Sequence, residues 1–247
     1  MLRLSGISKR FGATEAVKDF HLEIETGRTT VLIGPSGCGK STILRLIIGL
    51  LNPDEGNILF DSELMNDGTA GQFRHRIGYV IQDGGLFPHL TAAGNISLMA
   101  RYLGWSEAAV SERIAELCAL TQFPAELLPR YPLQLSGGQK QRVSLMRALM
   151  LDPALLLMDE PLAALDPLIR YDLQGELKTI FSRLKKTVIF VTHDLNEAAF
   201  LGDLIVLMRE GRIVQKGSIS DLMHRPADPF VDRFITAQRF PLESSPE

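Results

Sequence analysis

The stretch GPSGCGKST, residues 34–42, decides the fold class of this 247-residue chain. It fits the pattern G-x-x-x-x-G-K-[ST] through Gly34, Gly39, Lys40 and Ser41. In such a loop, backbone N–H groups wrap around phosphate oxygens and the next helix adds its dipole, while the lysine reaches the outer phosphates and the hydroxyl binds Mg²⁺. The residues predicted to contact the phosphates are Gly34, Pro35, Ser36, Gly37, Cys38, Gly39, Lys40, Ser41 and Thr42.

The sequence on either side of the loop favours this interpretation over a tight glycine turn that merely caps a helix. The run TTVLIG before the loop is typical of a strand buried on both faces, and KSTILRLIIGLL after it has helical spacing. Phosphate binding requires this order of strand, loop and helix. The sequence therefore predicts a P-loop NTPase.

Composition limits the other classes of protein. A formal net charge of −3 gives no basic footprint for nucleic acid. The two cysteines, Cys38 and Cys118, are too few for a disulfide framework at this length and fit a reducing compartment. No apolar run approaches the roughly 20 residues of a membrane helix, and no signal peptide is visible at the start, so we expect a soluble chain.

The rest of the chain reads as an α/β protein with a helical insertion. The β-rich runs ALLLMDE, TVIFVTH and LIVLM alternate with helical segments, which is typical of parallel βαβ units. LRLSGIS and FHLEIE, near the start, predict further strands, and GRIVQKGS adds one more. Between about Thr91 and Met150 the sequence is rich in helical patterns.

A carboxylate pair follows one of the predicted strands. In LLLMDE, Asp159 is placed to hold Mg²⁺ through its water shell, and Glu160 to polarise a water for attack on a γ-phosphate. By itself, an Asp-Glu pair after an apolar run is more typical of a solvated strand end. The phosphate loop upstream makes the magnesium interpretation the better one.

LSGGQ, residues 135–139, narrows the class of NTPase because it resembles the signature of the ATP-binding cassette family. A flexible Gly-Gly turn would explain the glycines but not the whole set. The resemblance implies that two copies pair head to tail, so that each ATP lies between the phosphate loop of one chain and the signature of the other. The residues it implies at that second contact are Ser136, Gly137, Gly138 and Gln139.

The resemblance extends over nearly the whole chain and implies four more site residues. Phe11 in KRFG would stack on adenine, although the family more often has tyrosine there. Gln82 would reach Mg²⁺ and the attacking water, Asp166 in ALD would lie at the dimer interface, and His193 would contact the γ-phosphate. Taken singly, a residue like His193 is more often a capping or core histidine, and one like Gln82 a surface amide.

The implied fold class is α/β: a P-loop NTPase core with a parallel sheet, a small antiparallel β subdomain and an inserted helical subdomain. We predict a single ATPase domain over residues 1–240, with the core and β subdomain in 1–90 and 151–240. The helical subdomain would take 91–150, and 241–247 would form a tail.

The segments LFPHLT, DEPLAALDPLIR and PADPFVDRFI look most like ATPase subunits of bacterial importers of osmoprotectants such as glycine betaine, choline and related quaternary amines. That resemblance implies ATP and Mg²⁺ as cofactors. It also implies a second copy, membrane permease subunits and, indirectly, a solute-binding protein as partners, with no nucleic acid. The chain would lie in the cytoplasm at the inner face of the membrane.

Several relatives in this group carry C-terminal regulatory modules, for which we expect no room here. Two alternatives stay open. The first is the ATPase of a lipid or lipoprotein extractor, and the second is a cassette that works outside transport, on ribosomes or DNA.

Overall fold

The computed structural model describes residues 1–66, 68–82 and 84–239, with the backbone alone described at 239. The strands are β1 (Leu2–Phe11), β2 (Thr14–Ile24), β3 (Thr29–Ile33), β4 (Glu55–Phe60), β5 (Glu63–Leu64), β6 (Ile77–Val80), β7 (Leu155–Asp159), β8 (Thr187–Val191), β9 (Leu204–Arg209) and β10 (Arg212–Gly217). The helices are α1 (Lys40–Ile47), α2 (Ala70–Arg74), α3 (Ala92–Tyr102), α4 (Glu107–Thr121), α5 (Gly137–Leu149), α6 (Pro167–Leu184), α7 (Leu195–Leu201), α8 (Ile219–His224) and α9 (Pro229–Arg239). Short 3-10 helices lie at Ala125–Leu127 and Pro132–Gln134.

The chain divides into two compact units. The first unit comprises Met1–Ala70 and the chain from Ile189 onward, and the second unit comprises Gly71–Val188.

The first unit contains an antiparallel sheet in the order β2, β1, β4, β5. β1 pairs with β2 so that Leu2 lies opposite Ile24, and it pairs with β4 so that Leu2 lies opposite Phe60. All three side chains are buried, which gives this small sheet an apolar face. The predicted antiparallel β subdomain is confirmed.

The strand order of the other sheet is β10, β9, β3, β8, β7, β6. β3 runs parallel to β9, and β6 runs parallel to β7. Every residue of β3, β7 and β8 is buried, as expected for strands covered on both faces. The predicted parallel sheet is confirmed, with one addition: β10 pairs antiparallel with β9 at the sheet edge.

Helices α3, α4 and α5 lie in the second unit and account for the helical patterns after Thr91. The predicted subdomain boundaries at 90 and 150 stay a prediction, and the predicted tail at 241–247 falls outside the described residues. Within the described ranges, no helix has the length and apolar character needed to cross a membrane.

Candidate functional site

The phosphate loop connects β3 to α1 in the first unit, and two of its glycines are required by close backbone contacts. A Cβ placed on Gly34 would lie 2.2 Å from the carbonyl oxygen of Met208 in β9. A Cβ on Gly39 would lie 2.5 Å from the carbonyl oxygen of Ala16 in β2, and Gly39 has a φ of 105° that side chains disfavour. Both ends of the loop therefore pack closely against strands of the same unit, β9 at Gly34 and β2 at Gly39.

Lys40, the first residue of α1, folds back over the loop. Its side chain is buried, and its Nζ donates to the carbonyl oxygens of Gly34 at 2.8 Å and Pro35 at 3.1 Å. Ser41 and Thr42 follow in the first turn of α1 and are half-buried. Phosphate oxygens would offer the ammonium group stronger, charged acceptors than these two neutral carbonyls, so the donor set fits an anion.

Cys38 is a buried part of the loop rather than a reactive thiol. Burial raises the pKa of the Cys38 thiol above its ordinary value, and the nearby ammonium of Lys40 opposes that rise only in part. The carbonyl oxygen of Cys38 accepts from the N–H of Gly211 at 3.1 Å, which ties the loop to the turn after β9. The exposed residues of the loop are Pro35, Ser36 and Gly37.

Phe11 ends β1, and its ring is 48% exposed. The Lys9 ammonium lies 5.9 Å from the ring centroid. Lys9 Nζ and the Arg10 backbone N–H each donate to Asp54 at 2.7 Å. These hydrogen bonds, the one from Lys9 first, hold the pKa of Asp54 below its ordinary value. Phe11 therefore presents an open aromatic face on a strand end that is held in place.

His193 lies in the first unit, on the turn between β8 and α7, and its side chain is exposed. The N–H of the preceding residue, Thr192, donates to the carbonyl oxygen of Leu32 at 3.2 Å. Leu32 lies two residues before Gly34. The structure thus anchors the residue before His193 to the strand that leads into the phosphate loop, and the role of His193 at the γ-phosphate stays a prediction.

The carboxylate pair lies in the second unit, where β7 ends. Asp159 is buried, and the Tyr79 hydroxyl donates to its Oδ2 at 3.4 Å. Glu160 follows with a φ of 44°, in the left-handed region that a non-glycine residue rarely adopts. Backbone strain of this kind is concentrated at functional sites, because it persists only where the surrounding structure enforces it.

The signature turn lies at the start of α5 in the second unit. The Oγ of Ser136 accepts from the Gln139 N–H at 3.3 Å, and the Gln139 side-chain oxygen accepts from the Ser136 N–H at 2.9 Å. This reciprocal pair is a capping box, which fixes the first turn of the helix. Ser136 and Gly137 are exposed, so this first turn is open to a ligand.

Gln82 is exposed, and the segment after it is fixed by two helices of the same unit. Arg147 in α5 donates to the carbonyl oxygens of Gly84 and Gly85, each at 2.7 Å. Asn95 in α3 accepts from the Phe87 N–H at 2.7 Å and donates to its carbonyl oxygen at 3.1 Å. The backbone is held, while the Phe87 ring is 42% exposed.

Asp166, also in the second unit, occupies the N-cap position of α6 and is exposed. The predicted site residues therefore fall into two groups. The first unit carries the phosphate loop, Phe11 and His193. The second unit carries Gln82, the carboxylate pair, the signature turn and Asp166.

A comparison with known protein families identifies the family of this chain. The family model described as "ABC transporter" matches residues 17–163, which is more than half of the chain. The chain belongs to the ABC transporter family. This confirms the family resemblance of the LSGGQ segment and of the loop before it.

Two curated relatives are similar to this ABC cassette over almost its whole length. "Choline transport ATP-binding protein OpuBA" of Bacillus subtilis (strain 168) is 46% identical over 248 residues, which is 100% of this chain and 65% of the relative. "Glycine betaine uptake system ATP-binding protein YehX" of Escherichia coli (strain K12) is 46% identical over 235 residues, which is 95% of this chain and 76% of the relative. The chain thus spans slightly less than two thirds of the choline relative's length.

A solved structure supports the cassette fold. The structure is a dimeric post-hydrolysis state of an ATP-binding cassette bound to ADP and Pi, and it is 33% identical to this chain. It matches 89% of this chain and 99% of the other with a TM-score of 0.79. The predicted fold class of the ABC cassette is confirmed.

Sequence reasoning missed two groups that support the site of this ABC cassette. Tyr79, which donates to Asp159, lies in β6, and only the short run IGYV could have signalled a strand there. Arg147 sits in the helical run after the signature, where nothing in its spacing distinguishes it from a solvent-exposed arginine. Burial lowers the pKa of Arg147 below its ordinary value.

Proposed function

We propose that this chain is the ATP-hydrolysing subunit of a transporter that imports osmoprotectants or quaternary amines. The observation that carries the ATPase part is the phosphate loop, in which a buried lysine donates to the neutral carbonyl oxygens of Gly34 and Pro35 and to the sulfur of Cys38, at the start of a helix preceded by glycine. No side chain caps that helix at Gly39, and a helix N-terminus favours an anion such as phosphate.

ATP would be bound through the loop and Phe11. Lys40 would exchange its carbonyl partners for the β- and γ-phosphates, and Phe11 would lay its exposed face against adenine. For Mg²⁺, the fitting ligands are the Ser41 hydroxyl, the Gln82 side-chain oxygen and Asp159, all oxygen donors as this cation prefers. A bound Mg²⁺ would neutralise part of the charge on the phosphate oxygens.

Glu160 is the proposed general base. It follows Asp159 directly, at a residue whose left-handed φ of 44° ends the course of the strand. A carboxylate in that place can accept a proton from an attacking water. His193 would donate to the γ-phosphate, which is present in ATP and absent in ADP. The anchored turn around His193 would therefore make this point of the site differ between the ATP-bound and ADP-bound states.

The cassette is proposed to work as a head-to-tail dimer. The Ser136 Oγ already accepts from Gln139, so its hydroxyl proton is left to donate to the γ-phosphate held by a second copy. The exposed first turn of α5 adds backbone donors and the positive end of a helix dipole. Loss of the γ-phosphate would remove the acceptor of these donors, and the dimer would open.

The proposed contact with a membrane permease is the segment 84–90. Asn95 and Arg147 fix its backbone, while Phe87 offers an exposed apolar ring to a partner helix. Docking there would hold the chain at the cytoplasmic face of the membrane. A solute-binding protein would act on the permease, without touching this chain.

The solute class rests on the relatives. Their names refer to choline transport and to glycine betaine uptake, rather than to lipid extraction or to work on ribosomes or DNA. The importer is therefore preferred over the two alternatives that the sequence left open. Adjacent genes for permeases and a solute-binding protein would support the assignment.

The test of ATPase function compares two variants in ATP binding and in single-turnover hydrolysis. Lys40→Ala is expected to lower both, because the phosphates lose their cation. Glu160→Gln is expected to bind ATP normally but to hydrolyse it about 10² to 10⁴ times more slowly, as is typical when a general base is lost. Lys216→Ala and Glu112→Gln, at exposed positions, are the matched controls. Wild-type turnover in Glu160→Gln would exclude Glu160 as the base, and wild-type affinity in Lys40→Ala would contradict the loop assignment.

A further inference from the structure

Helix α9 carries a polar residue on its buried face. Val231 and Ile235 are fully buried, and they lie four residues apart on one face of the helix. Gln238 follows at the third position of the same stripe, where the pattern of an amphipathic helix calls for another apolar side chain. Gln238 is half-buried there, and a polar atom turned toward the apolar face needs a hydrogen-bond partner.

That partner belongs to the turn that carries His193. The Gln238 Oε1 accepts from the backbone N–H of Leu195 at 2.7 Å. Leu195 is the first residue of α7, and an N–H at this position has no acceptor within its own helix. The next two N–H groups, those of Asn196 and Glu197, donate to the side chain of Asp194. The Asp194 cap thus serves the N–H groups of Asn196 and Glu197, and Gln238 supplies the acceptor for the N–H of Leu195.

The other side of His193 is anchored as well. The Thr192 hydroxyl donates to the buried carboxylate of Glu197 at 2.6 Å and accepts from the Asp194 N–H at 3.0 Å. His193 is exposed, yet it stands between Thr192 and Leu195, which are both buried and hydrogen-bonded. On the Leu195 side, the acceptor from outside the turn is the side chain of Gln238.

We propose that Gln238 is a positioning residue for His193, through which α9 fixes the turn that presents the imidazole to the γ-phosphate. The proposal rests on the role of His193 in the proposed function. A displacement of α9 would reach the turn through the hydrogen bond from the Leu195 N–H to Gln238. Gln238 does not touch the nucleotide in this account and acts only through the backbone of the turn.

The experiment uses the full chain and three variants of α9. Gln238→Leu keeps the size but removes the acceptor, Gln238→Glu keeps an acceptor, and Thr236→Leu makes the same kind of change at an exposed position of the helix. Amide hydrogen exchange of Leu195 is measured without nucleotide, and single-turnover hydrolysis and ATP affinity are measured in parallel. Gln238→Leu is expected to speed exchange at Leu195 about tenfold and to slow hydrolysis about fivefold, with ATP affinity unchanged within about twofold. Gln238→Glu and Thr236→Leu should behave like the unmutated protein.

The inference is overturned if Gln238→Leu leaves either the Leu195 exchange rate or the hydrolysis rate unchanged. It is also overturned if Gln238→Glu loses hydrolysis to the same extent, since the acceptor would then not be what matters. His193→Ala separates this result from the proposed function. If His193→Ala hydrolyses ATP at the unmutated rate, the role of His193 itself fails. If His193→Ala is inactive while Gln238→Leu is normal, only the positioning role fails.

Discussion

Gly34 and Gly39 in the phosphate loop face backbone atoms of their own unit, whereas Gly137 and Gly138 in the signature turn face only side-chain tips. A Cβ on either loop glycine would lie within 2.5 Å of a carbonyl oxygen. On Gly137 it would lie 3.2 Å from a methyl group of Leu165, and Gly137 is exposed. Backbone contacts therefore require glycine at both loop positions, whereas the exposed Gly137 meets only a methyl group of a leucine side chain.

The largest effect is expected at the loop. Gly34→Ala should lower the free energy of unfolding by about 3 kcal/mol, because the Met208 carbonyl must move to make room for a methyl group. Gly37→Ala is the matched control: its Cβ meets nothing within 4 Å, so only its φ of 79° costs stability, about 1 kcal/mol. Denaturant unfolding measures both. Equal losses would mean that close packing does not decide the need for glycine in the loop.

The second effect belongs to the signature. Gly137 starts α5 with a helical backbone, so Gly137→Ala should change the free energy of unfolding by less than about 1 kcal/mol. The added methyl group would instead stand where the γ-phosphate of a partner's ATP approaches. We expect ATP-driven dimerisation of a Glu160→Gln background to weaken tenfold or more, which is about 1.4 kcal/mol. Sedimentation in the presence of ATP measures this dimerisation. If Gly137→Ala lost as much unfolding free energy as Gly34→Ala, the loop and signature glycines would not differ in what requires them.

A smaller effect, on ATP affinity, is expected at Phe11, which lies in the same unit as the phosphate loop. Base stacking on an aromatic ring contributes roughly 1 to 3 kcal/mol, so Phe11→Ala should raise the ATP dissociation constant about fivefold or more. Phe11→Tyr should bind like the unmutated protein because the ring face is kept. Leu64→Ala, which removes a similarly exposed apolar side chain from the same sheet, is the control. A fall in melting temperature with unchanged affinity would assign Phe11 to packing instead.

Whether a feature of this structure can be predicted from the sequence depends on how far apart along the chain the contacting residues lie. β3, the loop and α1 are continuous in the chain, so their pattern of apolar residues and glycines is enough to predict them. The capping box of Ser136 and Gln139 is likewise local. The family resemblance supplied roles for Gln82 and His193 that neither composition nor periodicity could give.

The contacts that hold the site residues in place could not be predicted. Tyr79 meets Asp159 across 80 positions of the chain, and Gln238 meets Leu195 across 43. Such pairs depend on strand register and helix packing, which a single sequence does not specify, and no motif marks Tyr79 or Gln238. The antiparallel pairing of β10 belongs to the same class, since a short β-rich run does not reveal the direction of its neighbour.

The central claim is that the signature turn completes the ATP site of a second copy. Heterodimers of purified chains test it most directly, with single-turnover hydrolysis as the measurement. One mixture pairs a Lys40→Ala chain with a Ser136→Arg chain, and the other pairs a chain that carries both changes with an unmutated chain. If the signature acts across the dimer, the first mixture keeps one intact composite site and the second keeps none.

We therefore expect measurable hydrolysis in the first mixture and almost none in the second. Coupling between the two sites should hold the activity of the first mixture below half of the unmutated rate. Greater activity in the second mixture than in the first would exclude a signature that acts across the dimer, because each chain would then complete its own site.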